Sequence, residues 1–273
     1  MAVESPEYDV VIVGGGVAGL TTGVYTARHD FETLVLDAGG SLLRRNAHLE
    51  NLPGFPAGVN SRLFLDMLAD QAERAGCERR EAEVERVRQI EDDVEGDAKD
   101  DGGDADHGGS SEIDTDSDGG FAVETVDGEA FQSRYVIAAT KNETDYLEGV
   151  EGVGFVERGK TFVDTDERGR TGVEGVYAAG RLAEKPHQTV VAAGHGAEVA
   201  VTLLEDDDRP FYHDWVAPEG YFTGRGRDVP PGCEEIDEDE RRERERESLE
   251  VMREYFSEPH PEEPEQHPSV EED

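Results

Sequence analysis

The 273-residue chain has two cysteines, Cys77 and Cys233. Neither belongs to a C-x-x-C pair, which removes a redox dithiol and a Cys-rich zinc site, and no other metal site is expected. No apolar run approaches the roughly 18 residues of a membrane span. The start, MAVESPEYD, is acidic where a signal peptide needs a basic segment. These absences predict a soluble, cytoplasmic protein with no membrane partner. Positive charge is also scarce: 26 Lys and Arg stand against 66 Asp and Glu, a formal charge of −40. Lysine is confined to Lys99, Lys141, Lys160 and Lys185. Such a polyanion is repelled by nucleic-acid phosphates and anionic lipid, and its most basic stretch, Arg241 to Arg246, is interleaved with Glu. No nucleic-acid partner is expected. Acid-rich and Lys-poor composition predicts a halophilic cytosol, where a Debye length of about 3 Å at molar salt quenches self-repulsion.

What is present has the texture of an α/β domain over residues 1–206. Tyr8 to Val13 reads as a buried strand, Gly14 to Gly19 as a glycine turn and Leu20 to Arg28 as a helix. Thr33 to Leu36 is a second strand ending at Asp37. Leu63 to Gly76 carries apolar residues at helical spacing and stops at a glycine. The segment of about 91–120 turns abruptly to Asp, Glu, Gly and Ser, the composition of a disordered acidic insertion. It separates strands at Glu83 to Ile90 and Phe121 to Val126, so with Ala130 to Ala139 it forms an overgrown loop in a small β-meander. Gln188 to Leu204 reads as a further helix. Residues 207–273 hold an aromatic segment (Phe211, Tyr212, Trp215, Tyr221, Phe222) expected to dock on the domain. A charged helix follows at Glu234 to Glu258, with pairs such as Asp237/Arg241, Glu238/Arg242 and Glu240/Arg244, and then a disordered Pro/Glu-rich tail.

The strongest local motif is Gly14-Gly15-Gly16-Val17-Ala18-Gly19 between strand and helix, with Asp37 at the next strand end. Gly14 makes the tight turn, Gly16 lets backbone approach a diphosphate, and Gly19 lets helix and strand pack closely. An anion then rests on the helix N-terminus, and Asp37 is placed to bind both hydroxyls of an adenosine ribose, which disfavours a 2′-phosphate. A dinucleotide is the expected ligand.

Three blocks resemble the thioredoxin reductase-like branch of the FAD-dependent pyridine nucleotide disulfide oxidoreductases. They are Val10 to Gly19 with Asp37-Ala38-Gly39-Gly40; Glu50-Asn51-Leu52-Pro53-Gly54-Phe55-Pro56; and Gly175-Val176-Tyr177-Ala178-Ala179-Gly180 with His187-Gln188 and Ala192 to Gly196. The resemblance implies a Rossmann-like FAD/NAD(P)-binding domain, a parallel sheet with helices plus a small meander. It implies FAD on Gly14, Gly16, Val17, Ala18, Gly19, Asp37 and Ala38, with Gly40 and Asn51 nearer the flavin and Gly180, Arg181 and Gln188 on the ribitol and ring side. His195, in the helix that faces the ring in relatives, is a weak catalytic candidate. The helix opening near Gln188 brings a second helix N-terminus towards the ligand.

The departures carry weight. In the family Gly180 is followed by Asp where this chain has Arg181, and the turn after Thr140 has glycine where this chain has Lys141. Arg181 meets either a phosphate or a surface carboxylate. Only 35 positions separate Thr140 from Gly175, where the family inserts an NAD(P)H domain of roughly 100 residues. The expectation is a FAD-dependent oxidoreductase, unable to use the family's dithiol route. Its reductant is a transient NAD(P)H or another small-molecule or protein electron donor or acceptor, with a homodimer as one arrangement. The alternatives are a non-catalytic dinucleotide-binding module and NAD at the single site. The aromatic segment either caps the flavin or docks for stability.

Overall fold

The structure is a computed structural model that describes residues 7–90, 119–267 and 269–270. The acidic insertion expected to be disordered therefore lies outside the described residues, apart from its flanks. Strand β1 (Tyr8–Val13) is buried at five of its six positions, as a central parallel strand must be. Helix α1 (Val17–Ala27) follows, and β2 (Thr33–Asp37) returns parallel to β1 with Val10 opposite Thr33. Helix α2 (Ser61–Ala75) starts where the Asn60 side-chain oxygen accepts the Arg62 and Leu63 N–H groups, and it ends at Gly76 with φ 110°. Strand β3 (Glu78–Glu81) adds a parallel strand outside β2.

Strands β4 (Val84–Gln89), β5 (Phe121–Thr125) and β6 (Ala130–Ala138) form the antiparallel meander. The meander is continuous with the parallel sheet, because β6 also pairs with β1. Beyond it a short hairpin, β7 (Phe155–Glu157) and β8 (Thr161–Val163), leads to β9 (Val176–Ala178), which pairs parallel with the C-terminal half of β6. The sheet order is β3-β2-β1-β6-β5-β4 with β9 beside β6. The strand period of two divides its side chains between two cores. Val10, Ile12 and Val35 pack under α1, α2 and α3 (Thr189–Asp206), while Val11, Val13 and Leu36 pack with Val87, Tyr146 and Leu147 on the other face.

The C-terminal region differs from its composition in three ways. Residues expected to open the charged helix form β11 (Cys233–Ile236), parallel to β10 (Trp215–Pro218), and the helix α4 is Glu238–Tyr255. Asp237 caps α4 by accepting the Glu240 N–H at 2.8 Å, so its carboxylate is turned away from Arg241, which pairs with Glu245 instead. The Glu238/Arg242 and Glu240/Arg244 pairs do form, at 2.5 and 2.6 Å. The Pro/Glu-rich end, expected to be disordered, is described through residue 267 and lies along α2. Arg44 pairs with Glu262 at 3.3 Å, Arg62 donates to the Glu262 carbonyl at 3.0 Å, and His260 meets Asp66 at 2.9 Å. Two arginines offered to an acidic segment supply a local anchor that composition alone does not reveal.

The aromatic segment docks at the C-terminal end of α1. Arg28 binds Asp214 through both Nε and Nη2, at 2.5 and 2.6 Å, and Phe211 sits edge-on to His29 at 5.0 Å. None of these aromatics lines the cleft that holds the glycine turn; Phe211, Tyr212 and Trp215 line a separate depression with Tyr25 and His29, in keeping with the docking option. Among the described residues no helix is long and apolar enough to cross a membrane.

Candidate functional site

The C-terminal ends of β1, β2, β6 and β9 and the N-termini of α1 and α3 converge on one cleft of about 760 Å³. In an open parallel sheet this is where the strand order reverses and ligands bind. Local sequence dictates the turn at its floor. Gly14 takes φ 115°, and a Cβ there would lie 2.8 Å from the Ala139 carbonyl oxygen, so a side chain is excluded twice over. A Cβ on Gly19 would approach the Gly14 oxygen to 1.9 Å. Gly16 is the reverse case: its Cβ position meets nothing within 4 Å, leaving open space over the first turn of α1. That turn has no side-chain cap and no acidic residue, and its residues Val17 and Ala18 line the cleft.

Asp37, at the end of β2, accepts the Gly39 N–H at 2.9 Å and packs against Gly15, where a Cβ would fall 2.3 Å from its carboxyl carbon. Gly14, Gly16, Val17, Ala18, Asp37, Ala38, Gly40, Arg181 and Gln188 all line the cleft. Gly19 and Gly180 lie behind it as packing positions, Gly180 against Ala18. Asn51 is not on the wall, but its Nδ2 donates to Gln188 Oε1 at 2.7 Å, tying two segments 137 residues apart at the mouth of α3. Gln188 is the N-cap of α3 with no side-chain cap of its own, so a second helix N-terminus opens on the same space.

His195 lies elsewhere. It is 4% exposed, beneath the Gly180 turn, and its Nδ1 accepts the Gly180 N–H at 2.9 Å while Nε2 finds no partner among the described residues. Burial, reinforced by Lys185, pushes its pKa down to about 4, so the imidazole is neutral and holds a turn in place. A proton-transfer role at the cleft is not supported by that placement. His187 does line the cleft, and burial followed by Arg181 and Lys160 lowers its pKa.

Sequence reasoning singled out Lys141 as a departure and overlooked its neighbour. The Lys141 ammonium reaches across the cleft to within 3.3 Å of the Cβ position of Gly40. Asn142 accepts from Arg181 Nε at 3.1 Å and donates to the Thr161 carbonyl at 3.2 Å. No periodic signal marks an asparagine of this kind in a loop.

Fold and cleft together define a Rossmann-like nucleotide-binding domain. Residues 12–74 match the NAD(P)-binding Rossmann-like domain family. The chain is 37% identical over 89 residues to the thioredoxin reductase of Listeria monocytogenes, covering 32% of this chain and 28% of that one. It is 27% identical over 210 residues to that of Aquifex aeolicus, covering 75% and 52%. The thioredoxin reductase structure from Gloeobacter violaceus shares the fold with a TM-score of 0.56 at 19% identity, over 76% of this chain and 99% of that one; for T. acidophilum thioredoxin reductase the values are 0.54, 20%, 73% and 98%. The chain is thus similar in sequence to thioredoxin reductases over part of its length and shares their fold. It spans between 16% and 52% of the length of the curated relatives it matches.

Proposed function

We propose that the cleft binds FAD and that the protein is a FAD-dependent oxidoreductase of a salt-rich cytoplasm. The observation that carries this reading is the continuity of the cleft. One cleft joins the glycine turn and Asp37, suited to an adenosine diphosphate, to the Gln188 end of α3, suited to a ring. The residues present fit the group: the space over Gly16 is open, α1 offers uncapped N–H donors, and the Asp37 carboxylate stands at a ribose position. Gly14 to Gly16 and the α1 N-terminus would hold the diphosphate, Asp37 the ribose hydroxyls, and Gln188, fixed by Asn51, the ring end. When bound, FAD supplies the two-electron chemistry, while the protein binds, orients and shields it.

Thioredoxin reduction by an internal dithiol is not proposed. Cys77 is buried against Gly23, with burial pushing its thiol up to about 12, and Cys233 lies in β11 at the far end of α1. Between β6 and β9 stand only a 3-10 turn and the β7–β8 hairpin, so reductant would come from free NAD(P)H or a protein partner. The second reading, a dinucleotide-binding module without flavin chemistry, is favoured by one observation: Lys141 and Arg181 place two cations on the cleft wall. Purification in molar KCl, an absorption spectrum and mass analysis of the released nucleotide separate the two. A flavin spectrum with released FAD, bleached by NADH, is the expected result. A folded, colourless protein that takes up no added FAD would leave the binding-module reading.

A further inference from the structure

The cleft wall carries five carboxylates, Asp37, Glu83, Glu85, Glu143 and Asp145, on a chain of charge −40. A dinucleotide entering it brings a diphosphate into that field, which acts against binding unless local cations offset it. Two cations stand there. Lys141 follows the end of β6 by three residues and extends its ammonium over Gly40; Arg181 follows Gly180, which packs on Ala18 in the first turn of α1. Both line the same cleft as Gly16, Val17 and Ala18 of the α1 N-terminus. Many arginines elsewhere in the described chain pair with carboxylates, as Arg28 does with Asp214 and Arg170 with Asp206. Among the described residues neither Lys141 nor Arg181 has a carboxylate within ion-pair distance, and the Arg181 partner is the neutral amide of Asn142. Because the Asn142 amide is satisfied at both ends, it fixes Arg181 Nε and leaves the remaining guanidinium donors available.

We propose that Lys141 and Arg181, braced by Asn142, form a diphosphate clamp that sets the specificity of this cleft for dinucleotides. The proposal rests on the cleft being a nucleotide site and is independent of which base or ring the second half carries. A guanidinium takes phosphate oxygens through two parallel donors and an ammonium as a point charge, so both cations gain most from a ligand with two adjacent phosphates.

The test is titration of the wild-type protein and of K141Q, R181Q and K141R with ADP, adenosine and FAD in molar KCl, with a thermal melt of each variant as a folding control. ADP affinity is expected to fall about tenfold in K141Q and again in R181Q, adenosine affinity to stay within about twofold, and K141R to retain ADP binding. Equal ADP affinity in the wild type and both glutamine variants overturns the clamp, as does a parallel fall for ADP and adenosine. Uptake of ADP without FAD by the wild type would remove the flavin reading and leave the clamp standing. Uptake of FAD with variants indifferent to ADP would do the reverse. Binding of neither ligand by the folded wild type overturns both.

Discussion

The two ends of α1 are built by different physics. At the N-terminal end backbones touch: a Cβ on Gly196 would fall 2.3 Å from the Ala18 carbonyl, Thr22 bridges to the Gly196 oxygen at 3.0 Å, and the space this leaves is a cleft. At the C-terminal end, about 16 Å away for eleven residues at 1.5 Å each, side chains do the joining. There Arg28 grips Asp214, Trp215 and Tyr221 remain 40% and 37% exposed, and Arg244, near the start of α4, pairs with Glu234 and Glu240. At the first end the packed glycines Gly14, Gly19 and Gly196 tolerate no added atom, and these backbone contacts carry no charge for salt to screen. The second is a set of exposed pairs, each worth little and each screened by salt.

That contrast can be broken most forcefully at Gly19. Gly19→Ala places a methyl 1.9 Å from the Gly14 oxygen and is expected to cost more than about 3 kcal/mol, read as a collapse of the thermal transition at any salt concentration. The next effect is pH dependence at His195. Its folded-state pKa of about 4 lies below its ordinary value of 6.5, so the unfolded chain takes up the proton first. Stability present above pH 6.5 is therefore lost as pH falls towards 4, by an amount on the order of 3 kcal/mol. His195→Asn, whose amide oxygen can still accept the Gly180 N–H, should flatten that slope in urea titrations at a series of pH values. The smallest effect belongs to the other end. Glu240→Gln removes one exposed pair from α4 while Arg244 keeps Glu234 at 2.8 and 2.9 Å, and it should cost less than about 0.5 kcal/mol at low salt and nothing measurable in molar KCl.

The same contrast governs how much was legible in the sequence. The β1, α1 and β2 unit announces itself because a buried apolar run, a glycine turn and a strand-end acid are local signals, and α2 is bracketed by Asn60 and Gly76. Strand β3 is Glu-Arg-Arg-Glu and escapes any apolar pattern, since what makes it a strand is β2 beside it, with Leu34 opposite Glu78. Charge spacing carries the expected helix back to Glu234, yet Glu234 lies in β11 and reaches Arg244 ten residues away across a strand–helix corner. Within the cleft, the turn and Asp37 followed from spacing, whereas Asn51 and Gln188 were visible only through resemblance, because 137 residues separate them. His195 shows the limit of resemblance: Gln188, Thr189 and Ala192 face the cleft, and one turn further along α3 the Gly180 turn already covers the helix. Asn142 left no sequence signal, since its role exists only once β6, β8 and β9 are brought together.

The most direct test uses the one glycine of the turn whose side-chain space is empty. Gly16→Asp supplies α1 with a favourable N-cap and an acid at its positive end, so the fold should melt at the same temperature or higher. The same carboxylate occupies and repels the diphosphate position, so FAD titration in molar KCl should show uptake by the wild type and none by the variant. A Gly16→Asp protein that melts normally and still takes up FAD with wild-type affinity would contradict the assignment of this cleft as the nucleotide site.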